Sequence, residues 1–250
     1  MGKGIKTKKA SWLYRFLASI IAFFYRKKEF IGVENIPETP TIIVGNHAQI
    51  HGPLACELFF PRKKYIWCIG NMMHLKEVPS YAYKDFWSMK PKWIRWFFKI
   101  VSYLIAPLSV FVFKNADVIG VYKDTRLLKT YRETVDKLNE GANIIIFPES
   151  EKEYNDIVSE FQDKYIDVAK LYYNKYKVCV AFVPMYNAAR IRKIAIGEPI
   201  YYDPNLNIEE QRIIINNYLK EQITIIAKDM PKHKVVPYLN VSKRKEKYNK

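Results

Sequence analysis

The chain has 250 residues, enough for one α/β domain with a full core, or one domain with an appendage. Its net charge of +16 and its 15% aromatic content favour an anionic partner, either nucleic acid or an anionic membrane surface. The sequence has no Gly-rich aromatic signature, zinc-finger spacing or heptad behind a basic region, so we expect a membrane and no nucleic acid. The scattered Cys56, Cys68 and Cys179 are typical of reduced thiols in a cytoplasmic protein.

The N-terminal segment, residues 1–28, carries an apolar and aromatic run at 10–25 with basic residues on both sides. The run is short for a spanning helix, which needs roughly 20 predominantly apolar residues. A helix lying in the membrane interface fits better, with its cations on the polar side. We therefore expect a peripheral, monotopic protein on the cytoplasmic face of the cell membrane; an ordinary buried helix is the alternative.

The stretch from Thr41 to Pro53 predicts a buried strand followed by a loop and a helix. The β-branched run ends at Gly45, the loop receives Asn46 and His47, and Pro53 suits the first turn of a helix that runs to about Phe60. Further along, residues 71–117 mix bulky aromatics with cations. This region predicts a second membrane-facing surface, or a wall for a lipid chain.

The remaining elements alternate between strands and helices. Strands are predicted near 65–69, 118–122, 142–147, 178–184 and 191–196, with helices after Asp124, from about Phe161 to Tyr172, and over 208–228. The alternation predicts an α/β fold: a single domain with a mostly parallel or mixed sheet covered by helices, plus the N-terminal amphipathic membrane-associating helix. The domain should span 29–238, followed by a basic flexible tail at 239–250.

Two predicted strand ends carry chemistry, one delivering His47 and the other Glu149. Ligands of open α/β sheets collect at the carboxyl ends of the strands. Three nearby cations, Lys123, Arg126 and Lys152, could take an anion. A histidine base, a carboxylate and cations suit transfer of an acyl group to a phosphate-bearing alcohol.

Blocks of this sequence resemble, in order and spacing, those of the glycerophospholipid acyltransferases, whose best-known member is the lysophosphatidate (1-acylglycerol-3-phosphate) acyltransferase. The blocks are IGVENIP at 31–37, IVGNH at 43–47, IGVYKDTR at 119–126, GANIIIFPES at 141–150 and FVP at 182–184. The resemblance implies acyl-CoA or an acyl carrier protein as acyl donor and a lysophospholipid such as lysophosphatidic acid as acceptor. It implies no cofactor beyond the donor and no metal.

The resemblance also implies roles for residues. His47 matches the base that deprotonates the acceptor hydroxyl, and Glu149 matches a carboxylate that helps to hold the acceptor. Lys123 or Arg126 matches the cation that binds the acceptor phosphate, and Lys152 stands where the family has an Arg. The substrate-binding candidates are therefore Asn46, Lys123, Arg126, Phe147, Pro148, Glu149 and Lys152.

The sequence departs from the family at the aspartate that orients the base. That position falls on Gly52, or on His51 if one residue is deleted. A neutral His51 could accept a hydrogen bond from the His47 ring and fix its tautomer, so His51 is the second catalytic candidate. Glu57 or Asp85 could also substitute.

Two other readings stay open at this point. Without the aspartate, the chain could be a catalytically inactive relative that only binds lipid. His47 and His51 could instead ligate zinc with His74 or Glu149, although Gly52 and Pro53 argue against the helix such a motif needs.

Overall fold

The computed structural model of the chain describes residues 10–88, 90–239 and 246–250. The chain divides into two compact units: the smaller comprises Met1–Arg26 and Cys68–Leu127, and the larger comprises Lys27–Trp67 and Leu128–Lys250. Residues 1–9 of the predicted membrane-associating segment and residues 240–245 of the predicted tail lie outside the described residues.

The described elements alternate along the chain. The strands are β1 Glu29–Ile31, β2 Thr41–Gly45, β3 Lys64–Ile69, β4 Val118–Val121, β5 Asn143–Ile146, β6 Glu149–Glu153, β7 Ser159–Phe161, β8 Ala181–Ala188, β9 Lys193–Ile196 and β10 Ile200–Tyr201. The helices are α1 Trp12–Tyr25, α2 His51–Phe59, α3 Val78–Ala82, α4 Arg95–Leu104, α5 Ala106–Asn115, α6 Leu127–Asn139, α7 Asp167–Tyr176 and α8 Ile208–Asp229.

The larger unit is built on a mixed sheet with the strand order β1-β9-β8-β2-β5-β3. Strand β2 runs parallel to both β5 and β8, whereas β9 and β10 run antiparallel to β8. Every residue of β2, β5 and β8 is buried, as expected of central strands covered on both faces. The predicted α/β fold with a mixed sheet covered by helices is confirmed.

The register of the central strands places two loops side by side. Val44 pairs with Ile146 on β5 and Gly45 pairs with Met185 on β8. Because β2 and β5 are parallel neighbours, the residues that follow them leave the same edge of the sheet. The sheet therefore brings the segment after Gly45 next to the segment after Ile146.

Several element boundaries differ from the sequence prediction. Strand β8 begins at Ala181 and continues to Ala188, and α7 begins only at Asp167. Phe161 lies in a β6–β7 hairpin instead of a helix, because the apolar spacing from Phe161 to Tyr172 carries no signal for the short strand pairing that precedes the helix. Helix α2 begins at His51, so Pro53 sits in its first turn, where a missing N–H is tolerated.

The last described residues, 246–250, pack against other parts of the larger unit. The side chain of Glu246 is buried and pairs with Arg190. Asn249 accepts the backbone N–H of His233 at 2.9 Å and donates to the carbonyl of Ala227 at 2.6 Å. The sequence predicts a flexible tail for 239–250 because its charges are evident, whereas these pairings depend on partners distant in sequence.

The smaller unit contains the helices α1, α3, α4 and α5. Helices α4 and α5 follow one another with a bend of 42°, and Pro107 lies in the first turn of α5, since a proline cannot continue the interior of the preceding helix. No single helix among the described residues is long and apolar enough to cross a membrane; Lys92–Leu104 and Ala106–Asn115 meet the length and composition criteria only when taken together as a bent pair.

Replacing Phe182 should test the core of the larger unit. Its side chain is 0% exposed and packs edge-on against Tyr165. Phe182→Ala should lower the free energy of unfolding by about 3–5 kcal/mol through lost burial and a residual cavity. The control is Leu128→Ala, on a side chain that is 62% exposed and should change stability by no more than about 0.5 kcal/mol. Equal losses in urea denaturation would show that Phe182 is not a core residue.

Candidate active site

Asn46 ties the loop after β2 to the neighbouring strand. Its buried side chain accepts the backbone N–H of Asn187 at 2.6 Å and donates to the Asn187 carbonyl at 3.3 Å. The amide thus acts as one further peptide unit, which extends the pairing of β2 with β8. This anchoring starts the loop that carries His47 from a defined position.

The His47 imidazole is held in one orientation. Its Nδ1 is hydrogen-bonded to the backbone carbonyl of Gln49, and its ring meets Phe147 and Tyr238 edge to face at centroid distances of 5.4 and 5.7 Å. A carbonyl oxygen only accepts, so Nδ1 carries the proton and Nε2 keeps the lone pair. Burial lowers the pKa of His47, partly offset by the Gln49 carbonyl. The ring is therefore neutral at physiological pH and has the form of a general base.

Glu149 fixes the main chain of the same histidine. One carboxylate oxygen accepts the backbone N–H of His47 at 2.6 Å, and the other accepts that of Ser159 at 2.9 Å. The side chain is only 2% exposed. Burial raises the pKa of Glu149 to about 7, although both N–H donors favour the carboxylate. Glu149 thus joins the end of β2 to the β6–β7 hairpin.

The other residues of the same block have different positions. Phe147 lies against the His47 ring, and the Pro148 carbonyl accepts the backbone N–H of Gln162 at 2.9 Å. Lys152 lies on β6 with its side chain exposed. The structure therefore brings His47, Phe147 and Glu149 together, with Asn46 as their link to β8.

Two of the predicted phosphate-binding cations belong to the smaller unit. The Arg126 guanidinium bonds to Glu77 and to Asp124, each at 2.8 Å, and lies over the Tyr122 ring. These pairs are partly exposed, so each contributes little to stability. Lys123 is exposed.

Gly52, one of the two positions where the sequence resemblance would put an aspartate, has no space for a side chain. A Cβ built on Gly52 would lie 2.7 Å from the His47 carbonyl and 2.8 Å from the Phe147 ring. The neighbouring His51 begins α2, and its backbone N–H donates to the Ala48 carbonyl at 3.1 Å. Gly52 is therefore part of the packing around the base.

Sequence reasoning missed Gln49, Ser159, Asn187 and Tyr238. Gln49 and Ser159 contribute main-chain atoms, which no residue type reveals, and Tyr238 reaches His47 from far along the chain. Within the described residues the Asn187 side-chain amide is buried without a hydrogen-bond partner, a cost of roughly 1–3 kcal/mol. Buried side-chain polar groups without a partner are uncommon in native structures.

Two further features bear on where the chemistry lies: possible metal ligands and a cavity. Across the described ranges, no three His, Cys, Asp or Glu side chains are arranged to hold a metal ion. A cavity of about 610 Å³, lined by residues that include Pro40, Arg62 and Asn143, lies at the amino ends of β2 and β5. It contains none of the predicted site residues, so the chemistry is assigned to the opposite edge of the sheet.

The fold and the site define an α/β protein that presents a neutral, partly buried histidine at the carboxyl end of a central strand. No protein-family model matches the sequence, and no curated protein matches it either. Among solved structures, the chain is similar to the 1-acyl-sn-glycerophosphate (LPA) acyltransferase PlsC from Thermotoga maritima, with a TM-score of 0.50 and 15% identity. The match covers 87% of this chain and 83% of that one. At this identity the similarity shows the shared fold alone.

Replacing Glu149 should change how stability depends on pH. Because folding raises its pKa to about 7, Glu149 stabilises the folded state fully below its unfolded pKa near 4.5, and this contribution is lost as pH rises through 7. From pH 4.5 to 8, the wild type should lose on the order of 3 kcal/mol of unfolding free energy relative to Glu149→Gln. His47, whose lowered pKa acts in the opposite direction, is present in both proteins and cancels.

The measurement is urea denaturation at several pH values. The control is Glu151→Gln, whose side chain is exposed on the same strand and should give a curve parallel to that of the wild type. A Glu149→Gln curve that also runs parallel would show that Glu149 titrates as an ordinary carboxyl.

Proposed function

We propose that the chain is a membrane-associated acyltransferase of phospholipid biosynthesis. It transfers a fatty acyl group from acyl-CoA or an acyl carrier protein to lysophosphatidic acid or a related glycerolipid. The observation that carries this proposal is His47: a neutral imidazole, bonded at Nδ1 and basic at Nε2, at the carboxyl end of β2 in a fold shared with an LPA acyltransferase.

The reaction needs one base and no redox step. His47 Nε2 takes the proton of the acceptor hydroxyl while the oxygen of that hydroxyl attacks the thioester carbonyl carbon. The tetrahedral intermediate collapses by breaking the carbon–sulfur bond, and the departing thiolate takes the proton from the imidazolium. A positioned base of this kind supplies roughly 10²–10⁴-fold in rate. Glu149 contributes by holding the main chain of His47.

Acceptor recognition requires cations for the phosphate. Lys123, Arg126 and Lys152 keep this role in the proposal, on the strength of the sequence blocks. Arg126 is already pre-oriented by Glu77 and Asp124, and a phosphate would compete for the same N–H donors. The exposed Lys123 and Lys152 are more readily available to a ligand, but as point charges without the bidentate geometry of arginine.

Membrane association is proposed for the smaller unit, whose helices expose large apolar side chains. On α1 and α4 these are Trp12, Phe16, Phe23, Phe24, Trp96, Phe97, Ile100, Tyr103 and Leu104. Soluble proteins rarely expose extensive apolar surface, and the cations Lys92 and Lys99 lie just before and within α4 in the sequence. Each cation near an anionic leaflet adds on the order of 1 kcal/mol. The proposed location is the cytoplasmic face of the cell membrane.

A catalytically inactive lipid-binding protein is the second candidate. The observation that favours it is the glycine at the position of the family's aspartate, because the site then lacks the negative charge that stabilises imidazolium. An acyl-transfer assay separates the two candidates, because only the enzyme would turn over an acyl donor.

Acyl transfer should depend on His47. The full chain in detergent is given lysophosphatidic acid with labelled acyl-CoA, and separately with labelled acyl carrier protein. His47→Ala should lower the rate by about 10²–10⁴-fold because the base is removed. Lys228→Ala, on an exposed side chain at the end of α8, serves as the control. Equal turnover by wild type and His47→Ala would refute the assignment of the base. Lipid binding without turnover on either donor would establish the inactive alternative.

Membrane binding should depend on the exposed aromatics of the smaller unit. Phe23 and Trp96 are 79% and 66% exposed. Phe23→Glu or Trp96→Glu should each weaken flotation with anionic vesicles about tenfold, since burying such a side chain is worth about 1.5–3 kcal/mol. Ile213→Glu is the matched control, on an α8 side chain of the larger unit that is 63% exposed. Equal flotation of all variants would refute this surface as the anchor.

A further inference from the structure

We infer that the main-chain carbonyl of Gln49 orients the catalytic imidazole of His47, in place of the aspartate that the resemblance leads one to expect. Gln49 is thus a positioning residue, and Gly52 is the residue that lets the loop close around it. The inference rests on the proposed acyl transfer, to which it adds how the base is held.

The loop backbone turns the Gln49 carbonyl back onto the histidine. Ala48 and Gln49 have φ values of +46° and +56°, two consecutive left-handed residues that are not glycine. Each left-handed conformation costs roughly 1–3 kcal/mol and persists only where surrounding contacts hold it in place. Here the Ala48 carbonyl accepts the N–H of His51 at 3.1 Å, and the His47 carbonyl accepts that of Gly52 at 3.0 Å. The reversed chain places the Gln49 oxygen at Nδ1 of His47.

The same closure excludes a carboxylate. A Cβ on Gly52 would lie 2.7 Å from the His47 carbonyl, 3.0 Å from the Asn46 carbonyl and 2.8 Å from the Phe147 ring. Two of these three atoms are backbone, so the contacts could be relieved only by opening the loop. The loop therefore accommodates either the Gln49 carbonyl at Nδ1 or a side chain at position 52, and the glycine selects the carbonyl.

The chemical consequence follows from the charge of the partner. A carbonyl fixes the tautomer as well as a carboxylate does, because it accepts the same Nδ1 proton. It carries no full negative charge, so it stabilises the imidazolium less. Burial lowers the pKa of His47 with no carboxylate at Nδ1 to oppose it. The imidazole should therefore stay unprotonated to a lower pH than an ordinary histidine, whose pKa is near 6.5.

The experiment is ¹⁵N NMR of histidine-labelled full chain in detergent, combined with steady-state kinetics over pH. Gln49→Gly and Gln49→Asn tolerate the left-handed backbone and keep the carbonyl, so they should keep the Nδ1–H tautomer. Gln49→Val disfavours positive φ and should release the tautomer, lowering kcat about tenfold or more with little change in KM. A tenfold loss in kcat is a lower bound, because a wrong histidine tautomer lowers kcat far more in the Ser-His-Asp enzymes.

Gly52→Asp provides the complementary test. Under this inference the new side chain opens the loop, so the His47 resonances lose the fixed tautomer and kcat falls. His51→Ala should leave the His47 tautomer unchanged, since the Nδ1 partner is Gln49. A Gly52→Asp protein with higher kcat, or a His51→Ala protein in which His47 changes tautomer, would overturn the inference.

The spectroscopic readout separates this inference from the proposed function. A Gln49→Val protein with unchanged tautomer, in an enzyme that transfers acyl groups, would refute the orienting role and leave the function standing. A tautomer that responds as described, in a protein with no transferase activity, would refute the function and leave the orienting contact standing.

Discussion

The site depends on one buried carboxylate. Glu149 holds the N–H of His47 with one oxygen and the N–H of Ser159 with the other, at the edge where β2 and β5 end side by side. Without this bridge the residues after β2 would form an ordinary surface loop, free to leave its strained conformation. A carboxylate that is 2% exposed is costly, since burial raises its pKa to about 7. That cost falls at a place where the main chain sets the orientation of the His47 ring.

Around that bridge, hydrogen bonds to main-chain groups set the conformation of the loop. The Asn46 side chain extends the sheet by one amide, and Glu149 holds the backbone N–H of His47. The Gln49 carbonyl is hydrogen-bonded to the His47 ring. A carbonyl delivered by left-handed residues is rigid only where the surroundings fix the turn, and here Gly52 allows the close approach that does so. Strain at this loop is thus part of how the histidine is aimed, as is common where backbone outliers cluster at functional sites.

The two units treat apolar side chains in opposite ways. The larger unit buries continuous runs such as Ile42–Val44 and Ile144–Ile146 in a doubly covered sheet. The smaller unit buries a limited cluster, Val78, Ala82 and Ala106, and leaves many aromatic side chains of α1 and α4 exposed. The first pattern builds a scaffold with loops at its strand ends, and the second is the observation on which the proposed membrane association rests.

The sequence by itself determined the α/β class and its central strands, because apolar runs such as Thr41–Gly45 and Asn143–Ile146 are suited to doubly covered positions. It also singled out His47 and Glu149, because a histidine and a carboxylate stand just after the ends of those strands. Only the tertiary structure decided what holds the histidine, since Gln49 acts through its carbonyl and Ser159 through its N–H. Main-chain groups are the same in every residue, so a sequence cannot mark which of them will face a side chain. From the sequence alone, Gly52 is interpreted as a missing carboxylate. The folded chain shows instead that a side chain there would collide with main-chain carbonyls and the Phe147 ring.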